Sequence, residues 1–161
     1  MLNIRPAMPN DIPEISKFIR ELAAFEKAPQ EAVATAGDLL RDGFSGNPKF
    51  RVVIAEWDGE PAGFALFFYN YSTWQGRPGL YLGDLFVRRR YRGKGIGKAL
   101  LLHLAKIAVE EGCGRLQWQV LDWNTSAITF YKSLGAEVLR EWLTMRVRGD
   151  ALHKLAAQVQ T

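Results

Sequence analysis

Apolar residues recur at helical spacing at Ile12, Ile15, Ile19 and Leu22, the buried face of a helix. Asn10 or Asp11 stands where a cap belongs, with Pro13 tolerated in the first turn. Ala28-Pro29 predicts the end of that helix. A short strand, Leu2 to Arg5, precedes it, and Thr35 to Asp42 reads as a second short helix stopped by Gly43. The pattern then changes to strand spacing. Arg51 to Trp57 and Pro61 to Tyr71 are β-rich runs joined by Asp58-Gly59, a hairpin turn signal. Trp74 to Gly79 is turn-rich, and Gly79 to Val87 forms the next strand, whose Gly83 marks a bulge or a close backbone approach.

Helical spacing returns at Ile96, Leu100, Leu104 and Ile107, within a helix from Ile96 to Glu111 that Gly112 ends. Leu116 to Leu121 reads as a strand, Asn124 to Leu134 as a capped helix ended by Gly135, and Val138 to Arg148 as a last, irregular strand. Ala151 to Val159 is a small helix or tail. The order β, α, α, β, β, β, α, β, α, β predicts one mixed α/β sheet with helices on both faces, in a single domain over residues 1–161.

Composition narrows the chemistry. A chain of 161 residues, 48% hydrophobic and 24% charged, suits one soluble globular core. No apolar run is long enough to span a membrane, and Met1 to Pro6 lacks a signal-peptide pattern. The lone cysteine, Cys113, forms no internal disulfide and fits a reducing, cytoplasmic setting; flanked by glycines, it reads as structural. Two histidines and one cysteine supply no metal cluster, and His103 and His153 read as surface or packing residues. The net charge of +4 could suit nucleic acid. Much of the excess, however, is gathered at Arg88, Arg89, Arg90, Arg92, Lys94 and Lys98. That compact cluster favours a small phosphate group over a long polyanion, so neither nucleic acid nor membrane is expected as a partner. Arg88 to Arg90, taken one by one, read as a solvated basic turn.

The stretch Arg92-Gly93-Lys94-Gly95-Ile96-Gly97 lies between a strand and a helix. Glycines let backbone N–H groups approach an anion, and the helix start adds a positive dipole end. The loop is not a Walker A loop, because Ala99 follows Lys98 where a hydroxyl residue is needed. Its Gly-x-Gly-x-Gly spacing also departs from the dinucleotide fingerprint. A tight strand–helix turn with no ligand remains open on the hexapeptide alone.

The pattern Arg-x-x-Gly-x-Gly resembles the acetyl-CoA loop of the GNAT N-acetyltransferases. Asn124 through Ala136 resembles the second signature of that family, with Ala127, Phe130, Tyr131 and Gly135 in place. Within the family the chain is most similar to the spermidine/spermine and thialysine N-acetyltransferase type. The matching pieces are Glu21 to Glu26, Asp38 to Phe44, Tyr81 to Val87, Tyr91 to Gly97, and Trp123-Asn124 through Ala136.

The resemblance implies a GNAT fold, a mostly antiparallel sheet splayed at the acetyl-CoA site. It implies acetyl-CoA as co-substrate, no metal, a homodimer, and direct attack by a primary amine in a ternary complex. Backbone groups of Leu85, Phe86 and Val87 would meet the thioester. The loop residues Arg92, Gly93, Lys94, Gly95, Ile96, Gly97 and Lys98 would hold the pyrophosphate. Asn124, Ser126, Ala127 and Tyr131 would also bind the cofactor, Asn124 at its pantetheine or its pyrophosphate. Tyr131, which alone would read as an aromatic packed beside Phe130, becomes the acid that protonates the departing thiolate. Asn124 also reads as a helix cap.

A cationic acceptor, such as a polyamine, a diamine or a lysine-like amino acid, calls for an acidic pocket. Candidates are Glu26, Asp84 and Glu141, with Asp122 as a fourth; singly, each reads as a solvated carboxylate. Phe25 and Trp118 could cover an aliphatic chain, and Gln119 matches another substrate-lining position. One position departs from the family pattern: the polyamine enzymes carry a glutamate, proposed to deprotonate the amine through water, where this chain has Gly83. Asp84, Glu26 or a chain of waters are the substitutes. Transfer to protein N-termini or lysines is an alternative reading, as is a non-catalytic acyl-CoA or nucleic-acid binding module.

Overall fold

A computed structural model describes residues 1–159. Among them, five strands stand in sequence order across one sheet: β1 (Leu2–Pro6), β2 (Arg51–Trp57), β3 (Glu60–Ser72), β4 (Arg77–Val87) and β5 (Leu116–Trp118). The first four pair antiparallel, and β5 lies parallel to β4. Asp58 and Gly59 take φ of 50° and 84° between β2 and β3. Two positive φ values in a two-residue turn match the twist of the flanking strands, which is why Asp-Gly serves there.

Helices α1 (Ile12–Phe25) and α2 (Ala36–Gly43) cover one face. The core there comprises Ile12, Ile15, Phe18 and Leu22 of α1, Leu39 of α2, and Val52, Ile54, Phe64 and Phe86 of the sheet. Phe18 is fully buried and stacks on Phe64, with centroids 5.2 Å apart. Helix α3 (Ile96–Glu110) packs on the opposite face, burying Ile96, Leu100, Leu101, Leu104 and Ala108.

Polar contacts set how the elements enter and leave. Thr35 and Asp38 form a reciprocal capping box at the start of α2, with bonds of 3.1 and 2.9 Å. Asp11 precedes α1 but makes no side-chain cap. Its carboxylate instead accepts two bonds from Arg5, at 2.8 and 2.9 Å, and one from the Met8 amide at 2.7 Å. The Arg5 guanidinium holds the Asp11 carboxyl below the ordinary carboxylate range, so the expected cap is a clasp between β1 and α1. Arg51 grips Glu111 by two bonds of 2.7 and 3.0 Å, tying the start of β2 to the end of α3.

Residues from Asp122 onward form a separate compact unit. It contains α4 (Thr125–Ser133) and α5 (Asp150–Ala156). Gly135, with φ of 96°, follows α4 as expected.

Several expected boundaries move. Helix α1 stops at Phe25 rather than near Ala28, because Lys27 turns to φ 63°. Strand β4 starts at Arg77, inside the expected loop. Strand β5 ends at Trp118 instead of Leu121, where its ladder with β4 runs out. Val138 to Arg148 is not a strand. Among the described residues this stretch joins no ladder of the sheet, and its turn includes a bond from Trp142 N–H to Leu139 O at 3.4 Å. Phe18, absent from the expected stripe of α1, is buried, while Ile19 is only partly so.

Phe18→Ala should destabilise the protein by about 3–5 kcal/mol, read as a lower urea midpoint with little change in slope. An unchanged midpoint would mean that the Phe18–Phe64 stack is not central to this core.

Candidate active site

Strand β4 passes from the sheet interior into the glycine loop, and its register decides which face each side chain reaches. Leu66 of β3 stands opposite Asp84, but Phe67 stands opposite Leu82. Gly83 is therefore the extra residue of a bulge. In an unbroken strand Leu82 and Asp84 would share a face. The bulge separates them. Leu82 pairs with Phe67 on the α3 face, while Asp84 joins Leu66 and Phe86 on the face of α1 and α2.

On that face Asp84 comes within electrostatic reach of Glu26, the residue that follows α1. Burial, and then the charge of Glu26, pushes the Asp84 carboxyl up to about 6. Desolvation raises Glu26 as well. Two candidates named from the sequence are thus brought together. No cation is among the causes of the Asp84 shift, which leaves this carboxylate pair suited to a cationic guest.

Gly83 bears on the same place. A Cβ added there would lie 3.2 Å from the Phe68 ring and 3.4 Å from Leu66. Phe68 in turn stacks on Tyr81, with centroids 5.3 Å apart. The first atom of any side chain at this position would press on that aromatic pair.

Beyond Leu82 the β4–β5 ladder has no further pairs among the described residues. Leu85, Phe86 and Val87 thus continue with β3 on one side and without β5 on the other. The loop after them has the expected backbone. Gly93 and Gly95 take φ of 80° and 78°, and Gly95 is the left-handed residue that starts α3. The first helical bond runs from the Ala99 amide to Gly95 O at 3.0 Å. The amides of Ile96, Gly97 and Lys98 precede it, so they have no acceptor inside the helix. Gly97 has ordinary room, since a Cβ there would touch Val87 at 3.7 Å.

The nearby cations fall into two groups. Arg88 is not the solvated residue expected from the sequence. It lies over the Phe18 ring at 4.4 Å and bonds Glu14 at 2.8 Å and Glu21 at 3.1 Å. A surface depression of about 400 Å³ lined by Glu21 and Arg88 to Arg90 adjoins it. That lining is predominantly cationic and does not suit a cationic acceptor. Arg92 and Lys94, in contrast, rest on aromatic rings. The Arg92 guanidinium lies 5.0 Å from Phe25 and 5.5 Å from Phe86, with its Nε donating to Val87 O at 2.9 Å. Lys94 lies 5.2 Å from Trp57. Phe25, expected to cover an acceptor chain, thus faces Arg92 as well. The roles of Trp57, Phe68 and Tyr81 were not legible in the sequence, since no local pattern links them to the loop or to Gly83.

Trp118 ends β5, and Gln119 follows it, exposed. In the second unit, Asn124 precedes α4, while Ser126, Ala127 and Tyr131 lie along it. The Asn124 side chain does not cap the helix, contrary to expectation. Its Oδ1 instead accepts from Ser126 Oγ at 3.5 Å. The half-buried Tyr131 ring lies 5.6 Å from Phe130. Glu141 sits in an exposed turn, and Asp122 is exposed. Among the described residues, no group of acids, histidines or cysteine could hold a metal ion, and no helix is long and apolar enough to cross a membrane.

The Acetyltransferase (GNAT) family matches residues 16–136. A thialysine N-epsilon-acetyltransferase from Mus musculus is 39% identical, covering 96% of this chain and 97% of its own length. An L-ornithine N5-acetyltransferase from Arabidopsis thaliana is 35% identical over 94% of this chain and 86% of its own. Among solved structures, an integron cassette protein from the mobile metagenome of V. cholerae superposes with a TM-score of 0.81 at 32% identity, covering 96% and 97% of the two chains.

The raised Asp84 carboxyl has a consequence for stability. A folded-state value above the unfolded one favours the fold at low pH, and that advantage is lost as pH rises through about 6. Ionised Asp84 therefore costs the fold up to about 3 kcal/mol at neutral pH. Asp84→Asn should melt at a higher temperature than wild type at pH 7.5, with the gap closing as pH falls from 6 to 4. A variant that melts lower throughout would contradict the assigned environment.

Proposed function

Because the chain belongs to the GNAT acetyltransferase family and is an N-acetyltransferase, we propose that it moves an acetyl group from acetyl-CoA to a primary amine of a small cationic acceptor. The observation that carries this reading is the bulge that puts Asp84, next to Leu85–Val87, on the face of α1 within electrostatic reach of Glu26. The two relatives named above transfer to thialysine and to ornithine. An acidic pair suits the ammonium groups of such acceptors, and equally those of a diamine or polyamine.

In this reading the amides opening α3, together with Arg92, Lys94 and Lys98, hold the pyrophosphate. The β4 backbone at Leu85, Phe86 and Val87, left without β5, meets the thioester, where a donor toward the developing oxyanion is worth about 3–4 kcal/mol. Asn124, Ser126 and Ala127 take the pantetheine arm. Tyr131 gives its phenolic proton to the leaving thiolate; a phenol of pKa near 10 suits that task. Acceptor and donor are bound together, and the amine attacks directly. Gln119 and Glu141 complete the acceptor side, and the enzyme works as a homodimer in the cytoplasm.

Release of CoA from acetyl-CoA, followed with thialysine, ornithine, lysine, putrescine and spermidine, tests this. At least one small amine should support turnover well above a peptide acceptor. A peptide outperforming all of them would favour protein acetylation instead. Tyr131→Phe should lower kcat about 100-fold or more while acetyl-CoA affinity stays close to wild type. A wild-type rate in that variant would remove Tyr131 from the mechanism.

A further inference from the structure

We propose that Asp84 is the base that takes the proton from the acceptor ammonium, with Glu26 holding the cation against it. The assignment rests on the small-amine reading above and names the group that starts its chemistry.

Three observations converge on Asp84. The bulge at Gly83 turns its side chain out of the α3 face and onto the face of α1 and α2. The same strand then runs directly into Leu85–Val87, so Asp84 immediately precedes the backbone proposed to meet the thioester. The neighbouring position carries no competing group: it is Gly83, where a Cβ would already lie 3.2 Å from the Phe68 ring. The site therefore contains one carboxylate on the reacting strand, and a second, Glu26, near enough for its charge to act on the first.

The surroundings favour this task. Burial and the Glu26 charge push Asp84 up to about 6, so near neutral pH it is ionised and still basic enough to accept a proton. The charged and titratable groups around it are few. Just past α1, Glu26 repels it, whereas Glu14 and Glu21 of that helix are engaged with Arg88. On β4, Tyr81 is raised by burial. Arg92 stands over Phe25 and Phe86. The charges of α2, at Asp38, Arg41 and Asp42, close on one another. The facing strand offers only Leu66 and Phe68.

The proton balance is simple. The ammonium gives one proton to Asp84 and becomes a nucleophile. Its lone pair forms the C–N bond while the C–S bond breaks. The second proton leaves the nitrogen as the thiolate is protonated, so Tyr131 ends as it began. Asp84 releases its proton to solvent, and one proton is produced per acetyl group transferred.

The test uses full-length protein and two acceptors. One is the best cationic amine from the acceptor screen. The other is a small primary amine with an electron-withdrawing neighbour, already neutral at the assay pH. Wild type should lose kcat/KM on the cationic amine as pH falls through about 6. Asp84→Asn should lose at least 100-fold in kcat on the cationic amine, lose that acidic limb, and fall far less on the neutral one. Glu26→Gln should keep the limb but move it to lower pH, since a repelling charge has gone. Equal losses on both amines, an unchanged pH profile, or a rise in KM alone would overturn the assignment and leave Asp84 a binding residue. Absence of CoA release by wild type with every small amine would instead overturn the acceptor reading beneath it. Melting curves and acetyl-CoA titration of each variant separate these outcomes from misfolding.

Discussion

The bulge at Gly83 is the constraint on which the two faces of strand β4 depend. Strand β4 must bury Leu80 and Leu82 against α3, yet it must also present a carboxylate to the other face. A period of two cannot satisfy both demands across Leu82 and Asp84. One extra residue resolves the conflict and changes the parity of everything after it. Phe86 then enters the core beneath α1, and Val87 turns toward Gly97. Without that offset, Asp84 would sit among Leu82, Phe67 and the buried side chains of α3, where an unpaired charge is costly.

A second level of organisation is electrostatic. The chain is basic overall, yet its acids and bases are sorted rather than mixed. Arg88 uses its charge on Glu14 and Glu21 and its flat guanidinium on Phe18. It thereby fixes the turn after β4 to α1 and leaves the neighbouring loop well placed. The pair Glu26–Asp84 has no such partner and keeps its negative field. Glu14 and Glu21 of α1 thus hold a structural cation, whereas Glu26, just past the end of the same helix, bears on Asp84.

Much of this was legible in the residues because local rules governed it. Thr35 with Asp38, Asp58 with Gly59, Gly93 with Gly95 and the bulge at Gly83 each follow from backbone geometry that only certain residues accept. What escaped depended on distant partners. Phe18 is decided by Phe64, Arg88 by two glutamates, and the loop cations by Trp57, Phe25 and Phe86. Asp11 has the residue type of a cap, but Arg5 claims it. Val138 to Arg148 has the composition of a strand, yet it joins no ladder among the described residues. The proximity of Glu26 and Asp84 required the fold, because either acid alone reads as surface.

The placement of Arg92 and Lys94 on aromatic faces has a kinetic meaning. An exposed contact of this kind holds a cation by about 0.5–1 kcal/mol. Side chains so lightly held exchange rotamers in picoseconds to nanoseconds, whereas enzyme turnovers take about a millisecond to a second. Under the proposed function, a polyphosphate arriving at the loop would find the cations available at once, and on its departure the rings would take them back. Such a loop governs residence through the strength of its grip, and adds no slow gate to either arrival or exit.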